Sequence, residues 1–352
     1  MGDGGRVVLG TERPRNLECS TLSRILVTGG AGFIGSHVAR ALIARGHAVT
    51  ILDDLSGGFR HNLPPGTDFV HGSIVDAELV DRLFGNHRFE HVYHLAAYAA
   101  EGLSHFIKRF NYTNNVLGSV NLLNAAINHG VRTFVFTSSI AIYGASPELP
   151  IRETTPPRPE DSYGIAKYAI ELELAACRNL FGLDFIVFRP HNVFGPGQHI
   201  ADRYRNVVGI FMNQLLQGLP MTVFGDGTQT RAFSYIDDVA PLMAEAIDLP
   251  AARNQVFNIG ADQACSLNAL AEAVAVAMGV EPRVVHLEAR HEVAHAYSSH
   301  DQIRRVFGSR PQTPLADGLT RMAAWARTLG ASSSAPFGAI EITRNLPASW
   351  AT

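Results

Sequence analysis

The sequence is poor in cysteine, in lysine and in long apolar runs. Its three cysteines, Cys19, Cys177 and Cys265, lie far apart and form no CxxC pair. That excludes a disulfide scaffold and points to a reduced, cytoplasmic setting. No stretch approaches the roughly 20 uninterrupted apolar residues that span a bilayer, so no membrane partner is expected. Residues 1–20 hold no apolar run long enough for a signal-peptide core and read as a flexible leader. Charged residues make up only 17% and the net charge is −3, so no basic field recruits nucleic acid. Of 29 basic residues only Lys108 and Lys167 are lysines. A lysine retained against such a bias points to lysine chemistry.

What is present is a chain of 352 residues, 46% hydrophobic, with 32 glycines. At roughly 150 residues per domain it holds about two domains, or one α/β domain with an added lobe. Short apolar runs at Arg24–Thr28, 48–52, Asp68–His71, 91–95, Thr133–Thr137 and 184–188 read as strands. Helical patterns lie between them, the first over 36–45 and stopped by Gly46. This alternation predicts an α/β fold with a doubly wound parallel sheet over 21–189. From 190 to 330 loops, short strands and helices such as Leu267–Met278 predict a smaller mixed substrate lobe, with about 233–262 returning to the sheet domain. Residues 331–352 read as an irregular tail.

The first strand runs into Gly29-x-x-Gly32-x-x-Gly35, which opens a helix. The first glycine permits a tight turn, the second lets a phosphate approach the backbone, and the third lets helix and strand pack closely. A pyrophosphate then meets the free N–H groups of the helix start. Asp53 ends the next strand, 18 residues after Gly35. A carboxylate there accepts from ribose hydroxyls and repels a 2′-phosphate, which favours NAD over NADP. Further on, Tyr163 and Lys167 lie four residues apart at the start of a helical stretch and therefore share one face. A free phenol has a pKa near ~10 and is a poor base. An ammonium, together with the positive nicotinamide ring, is expected to favour the tyrosinate.

With these motifs go HLAA (94–97), NNVLGS (114–119), TSSIAIYG (137–144), FRPHNVFGPGQ (188–198), GDGTQTRAFSYIDDVA (225–240) and FNIG (257–260). In this ordered set the chain resembles the extended short-chain dehydrogenases/reductases acting on nucleotide sugars. It is most similar to the NAD-dependent epimerase/dehydratase branch that includes UDP-glucose 4-epimerase, over about 24–308. The resemblance implies a Rossmann-type fold, bound NAD, a UDP- or dTDP-sugar substrate, and a homodimer through helices near 102–128 and 163–180. It assigns Ser139, Tyr163 and Lys167 to catalysis. Gly29, Gly32, Phe33, Ile34, Gly35, Asp53, Ser73, Ile74, Leu95, Ala96, Ala97, Asn115 and Thr137 fall to the cofactor. His191, Asn192, Arg231 and Arg290 fall, with Ser139 and Tyr163, to the substrate.

Three positions depart from the family pattern. Ser73 stands where Asp is frequent, Ala232 follows Arg231 where Asp is frequent, and His191 replaces a common Phe. At Ile140 and Ala141, family dehydratases and decarboxylases carry acids; here neither residue can transfer a proton. The simplest outcome is inversion at carbon 4 of a hexose or hexuronic acid through a 4-keto sugar with retained NAD. A 4-ketoreductase and a non-catalytic NAD- or sugar-nucleotide-binding protein are the alternatives. His291-Glu292-x-x-His295 also fits a zinc-protease pattern, with His300 as a conceivable third ligand. Fifteen histidines make such spacings common by chance, and no metal is expected.

Overall fold

A computed structural model of the chain describes residues 22–290, 292–333, 337–338 and 340–350. The expected leader, 1–20, lies outside the described residues. The strands are β1 (Arg24–Thr28), β2 (Ala48–Asp53), β3 (Asp68–His71), β4 (His91–His94), β5 (Thr133–Thr137) and β6 (Asp184–Pro190). A seventh strand, Gln255–Ile259, pairs with β6. Across the sheet the order is Gln255–Ile259, β6, β5, β4, β1, β2, β3, with every pairing parallel. This is a Rossmann-type doubly wound α/β fold.

Successive strand residues point to opposite faces, so both faces must be covered. Ile25 and Val27 of β1 enter one core cluster and Leu26 enters the other. On the first face lie α1 (Phe33–Ala44) and helix Ile236–Glu245, through Val38, Leu42 and Val239. The second carries α2 (Ala77–His87), α5 (Gly118–Asn128) and α6 (Ser162–Phe181), through Leu83, Phe84, Leu122, Ile170 and Leu174. Between β4 and α5 come two short helices, α3 (Glu101–Ser104) and α4 (Lys108–Tyr112), and a π-turn at Thr113–Leu117. Helix α6 starts where the Asp161 carboxylate accepts from Gly164 N at 2.8 Å and stops at left-handed Gly182.

Several element boundaries differ from the sequence pattern; β2 ends at Asp53 and β4 at His94, each one residue from the expected limit. Helix α1 begins at Phe33, a turn earlier than the periodicity over 36–45 indicates, because Gly32 is already its N-cap. Strand β6 runs on to Pro190 because Gln255–Ile259 gives it a partner along its whole length. Among its described residues the expected irregular tail, 331–352, holds no strand or α-helix, yet it packs against the sheet domain. Phe337, Ile340, Leu346 and Trp350 pack with Ala100, Leu103 and Ile107 in a separate apolar cluster. No helix among the described residues is long and apolar enough to cross a membrane.

Beneath the sheet's carboxyl end, Arg189 of β6 meets Glu171 of α6 in a two-pronged contact at 3.0 and 2.5 Å, both side chains nearly enclosed. Arg189 also donates to the Tyr143 hydroxyl, which donates to Asn258. Removing one partner leaves a buried charge unpaired. Glu171→Ala is therefore expected to lower unfolding free energy by about 3–5 kcal/mol in urea titrations; a loss below about 1 kcal/mol would show that Arg189 finds solvent instead.

Candidate active site

The carboxyl ends of β1, β2, β4, β5 and β6 converge on one large cavity. At one end is the glycine turn. Gly29 has φ of +72°, and a Cβ there would stand 2.6 Å from Ala96 N. A Cβ on Gly35 would strike the Gly29 carbonyl oxygen, so helix and strand approach only because both carry glycine. Helix α1 begins with no side-chain cap and no acidic residue in its first turn. Its free N–H groups and positive end face the place of a phosphate. Asp53 accepts from Ala31 N at 3.0 Å and Leu55 N at 2.8 Å, which leaves carboxylate lone pairs for a ribose diol. Burial pushes its carboxyl pKa up, while these N–H bonds hold it down.

His94, the first residue of HLAA, bridges Thr28 Oγ1 and Ser119 Oγ, both at 2.8 Å. Burial drives its pKa well down, so it is a neutral structural link. It ties the ends of β1 and β4 to α5 and so sets the wall formed by Leu95, Ala96 and Ala97.

At the other end lie Thr137, Ser139, Tyr163 and Lys167. The Lys167 ammonium donates to Thr137 O at 2.8 Å and sits 4.8 Å from the Phe136 ring centre and 5.7 Å from that of Tyr163. Burial lowers its pKa to about 7, against the opposing pull of Glu171. Ser139 Oγ accepts from Ala141 N at 3.1 Å, and its hydroxyl lies close enough to the Tyr163 phenol to favour the tyrosinate. The expected acidic shift of Tyr163 is not produced by the protein alone. Burial first, then the charge of Glu101, raise the phenol pKa, and the nearby Ser139 hydroxyl only partly opposes them. The ammonium lies over the ring and spends a hydrogen bond on Thr137, so it does not lower the phenol by direct pairing.

The cavity fits NAD. It offers an uncapped helix start, a close-packed glycine turn, a carboxylate with spare acceptors, and buried polar atoms without protein partners at Thr137 Oγ1, Ser138 Oγ and Gln198 Oε1. Gly29, Gly32, Phe33, Ile34, Gly35, Asp53, Ile74 and Leu95–Ala97 line it.

The profile of the NAD dependent epimerase/dehydratase family matches residues 25–260. The chain belongs to that family. Its cofactor is NAD. A UDP-glucose 4-epimerase of Mycolicibacterium smegmatis is 38% identical over 306 residues, covering 85% of this chain and 96% of that one. The crystal structure of a Thermotoga maritima UDP-glucose 4-epimerase with UDP-glucose matches with a TM-score of 0.83 and 36% identity, over 87% of this chain and 99% of that one. A Thermus thermophilus UDP-glucose 4-epimerase in complex with NAD matches with a TM-score of 0.80 and 35% identity, over 86% and 98%.

Several family positions lie elsewhere than the resemblance places them. Ser73 is outside the cavity lining; its hydroxyl accepts from Val75 N at 3.3 Å, and neighbours Gly72 and Ile74 form the wall. Asn115 is buried behind the wall, clamping both backbone polar groups of Tyr98 at 3.0 and 3.1 Å. His191 turns away from the cavity onto Ala232 O and His300, while left-handed Asn192 (φ +41°) does line it. Burial lowers the His191 pKa to about 3, which suits a neutral structural ring. Arg231 spends its guanidinium on the carbonyls of Thr230, Val293 and Ala294, and Arg290 stacks on Phe224; neither lines the cavity. Of the zinc-like pattern, His291 lies outside the described residues. Glu292 and His295 are not on a helix; His295 opens a two-residue strand. His300 is turned to Asp262 at 2.7 Å.

The sequence reading missed Glu101, which lines the cavity from α3. Its surface opens on the cavity, yet enclosing walls, then the charge of Asp161, raise its carboxyl pKa to about 7. Its only sequence signal was a position four residues past HLAA. Arg205 was missed too; it lines the cavity 4.5 Å above the Tyr98 ring and pairs with Asp202 at 2.7 Å.

Two outcomes follow. Gly35→Ala should weaken NAD binding by roughly tenfold or more, read by calorimetric titration, because the turn must open; unchanged affinity would contradict the close approach. Glu101→Gln removes a negative charge that raises the Tyr163 pKa. The rising limb of the kcat/KM pH profile should then move to lower pH, and an unmoved limb would show that Glu101 does not act on the phenol.

Proposed function

We propose that the protein is a nucleotide-sugar 4-epimerase, inverting carbon 4 of a UDP- or dTDP-linked hexose through a transient 4-keto sugar with retained NAD. The observation that carries this reading is the placement of Ser139, Tyr163 and Lys167 on one wall of the same cavity as the glycine turn and Asp53. Bound NAD supplies reversible two-electron oxidation of a carbinol carbon. The protein's share is proton handling and orientation. Tyr163 Oη takes the proton of the sugar 4-hydroxyl and later gives it back. Ser139 Oγ, close to that phenol, holds the same hydroxyl in line. Burial and Glu101 resist the tyrosinate, so the positive charge of the cofactor's ring and of Lys167 must offset them.

Ile140 and Ala141 offer no second proton-transfer group at the positions where family dehydratases have one. Glu101 enters from the opposite segment; negative above about pH 7, it disfavours a hexuronate and leaves a neutral hexose as the better substrate. Arg231 and Arg290, which lie beyond the Glu101 end, are assigned to the substrate diphosphate, for which planar guanidinium forks are suited. Exposed Leu117, Ile165 and Leu172 on and beside α5 and α6 support a homodimer through those helices.

The test is a panel of UDP- and dTDP-sugars followed by NMR at carbon 4. Inversion without net change in nicotinamide absorbance is expected. Stoichiometric consumption of reduced nicotinamide would replace this reading with a 4-ketoreductase. Tyr163→Phe should keep NAD and lose roughly 10²–10⁴ in turnover; a variant with full activity would remove the phenol from the mechanism.

A further inference from the structure

Residues 337–338 and 340–350 make contacts with both the sheet domain and the lobe. The N–H groups of Glu341 and Ile342 donate to Phe106 O at 2.9 and 3.1 Å, and the Glu341 carboxylate accepts from Arg109 N and Phe110 N at 2.8 and 2.9 Å. Phe337 N donates to the Tyr204 hydroxyl at 3.0 Å. The chain then reaches Trp350, only 5% exposed. Its indole meets Phe106 and Tyr204 edge-on, and packs where Gly102 carries no side chain. Gly102 follows Glu101, so Trp350 stands directly behind the substrate end of the cavity.

Arg290 lies between two aromatic side chains. Its guanidinium carbon is 3.8 Å from the Phe224 ring centre and 5.4 Å from that of Trp350. Its only hydrogen-bond partner among the described residues is Glu292, at 3.5 Å. A guanidinium has five N–H donors at its edge and none on its faces. The two rings hold the guanidinium by cation–π contact and take none of its N–H donors, so most of its edge is left unspent, the state of an arginine prepared for an anion.

We propose that Trp350 is a positioning residue for Arg290, which makes the C-terminal segment a working part of the substrate site. This rests on the assignment of Arg290 to the substrate diphosphate. The indole limits the guanidinium to one orientation, so the ordering is done before the anion arrives and not at its expense. The contribution belongs to binding: the indole contacts are with Phe106, Tyr204, Gly102 and Arg290, not with Ser139, Tyr163 or Lys167.

The full chain, loaded with NAD, is titrated calorimetrically with UDP. Trp350→Ala and the volume-keeping Trp350→Leu should both weaken UDP roughly three- to tenfold, and Trp350→Phe should recover most of it. NAD affinity should not move. With a turned-over sugar nucleotide, KM rises and kcat stays within about twofold. In an Arg290→Ala background, Trp350→Leu should cost nothing further. Unchanged UDP affinity in Trp350→Leu, or an equal loss with Arg290 already removed, would overturn the proposal. UDP titration needs no turnover. Absence of 4-inversion with these binding effects intact would sink the epimerase reading alone. Inversion with Trp350→Leu indistinguishable from the parent would sink this inference alone.

Discussion

The Lys167 ammonium is 2% exposed and has burial against it. Its anchor is the Thr137 carbonyl at 2.8 Å, at the last residue of β5. That contact joins the start of α6 to the end of β5, a strand inside the sheet. Because Tyr163 lies one turn earlier on the same helix face, it also fixes where the phenol stands. Ser139, two residues past the anchor, then falls within reach of the phenol. The proposed catalytic group is thus the product of one helix docked on one strand end, and the buried Arg189–Glu171 contact holds the same helix to the next strand.

Charge at this end is balanced against the acid–base step. Burial raises the Tyr163 phenol and lowers the Lys167 ammonium, and Glu101 adds to the first effect. Without cofactor the phenol is a weak base in a dry site. This keeps proton abstraction coupled to the presence of a positive ring, a useful property for an enzyme that must not strip protons idly.

Much of the sheet domain was legible in the residue pattern. β1 and β5 begin and end where the apolar runs do, because a parallel strand buried on both faces has no polar alternation to blur its limits, and the partly buried edge strand β3 matches as well. The glycine turn, Asp53, Tyr163 and Lys167 were legible for a similar reason: each acts through local backbone geometry or fixed helical spacing. Ser73, Asn115 and His191 were assigned by position and proved to face turns, loops or a second histidine. Nothing in a linear spacing tells which way a loop side chain turns. Glu101 carried no motif, and the tail carried no periodicity.

The sequence by itself determined the α/β order, the dinucleotide turn and the tyrosine–lysine pair, since those depend on contacts within a few residues of each other. Only the tertiary structure decided that Glu101 shares a cavity with Tyr163, that His191 does not, and that Trp350 closes over Arg290. Those are contacts between segments distant along the chain. They depend on how layers pack and on what each side chain must bury or bond, information that no local pattern encodes.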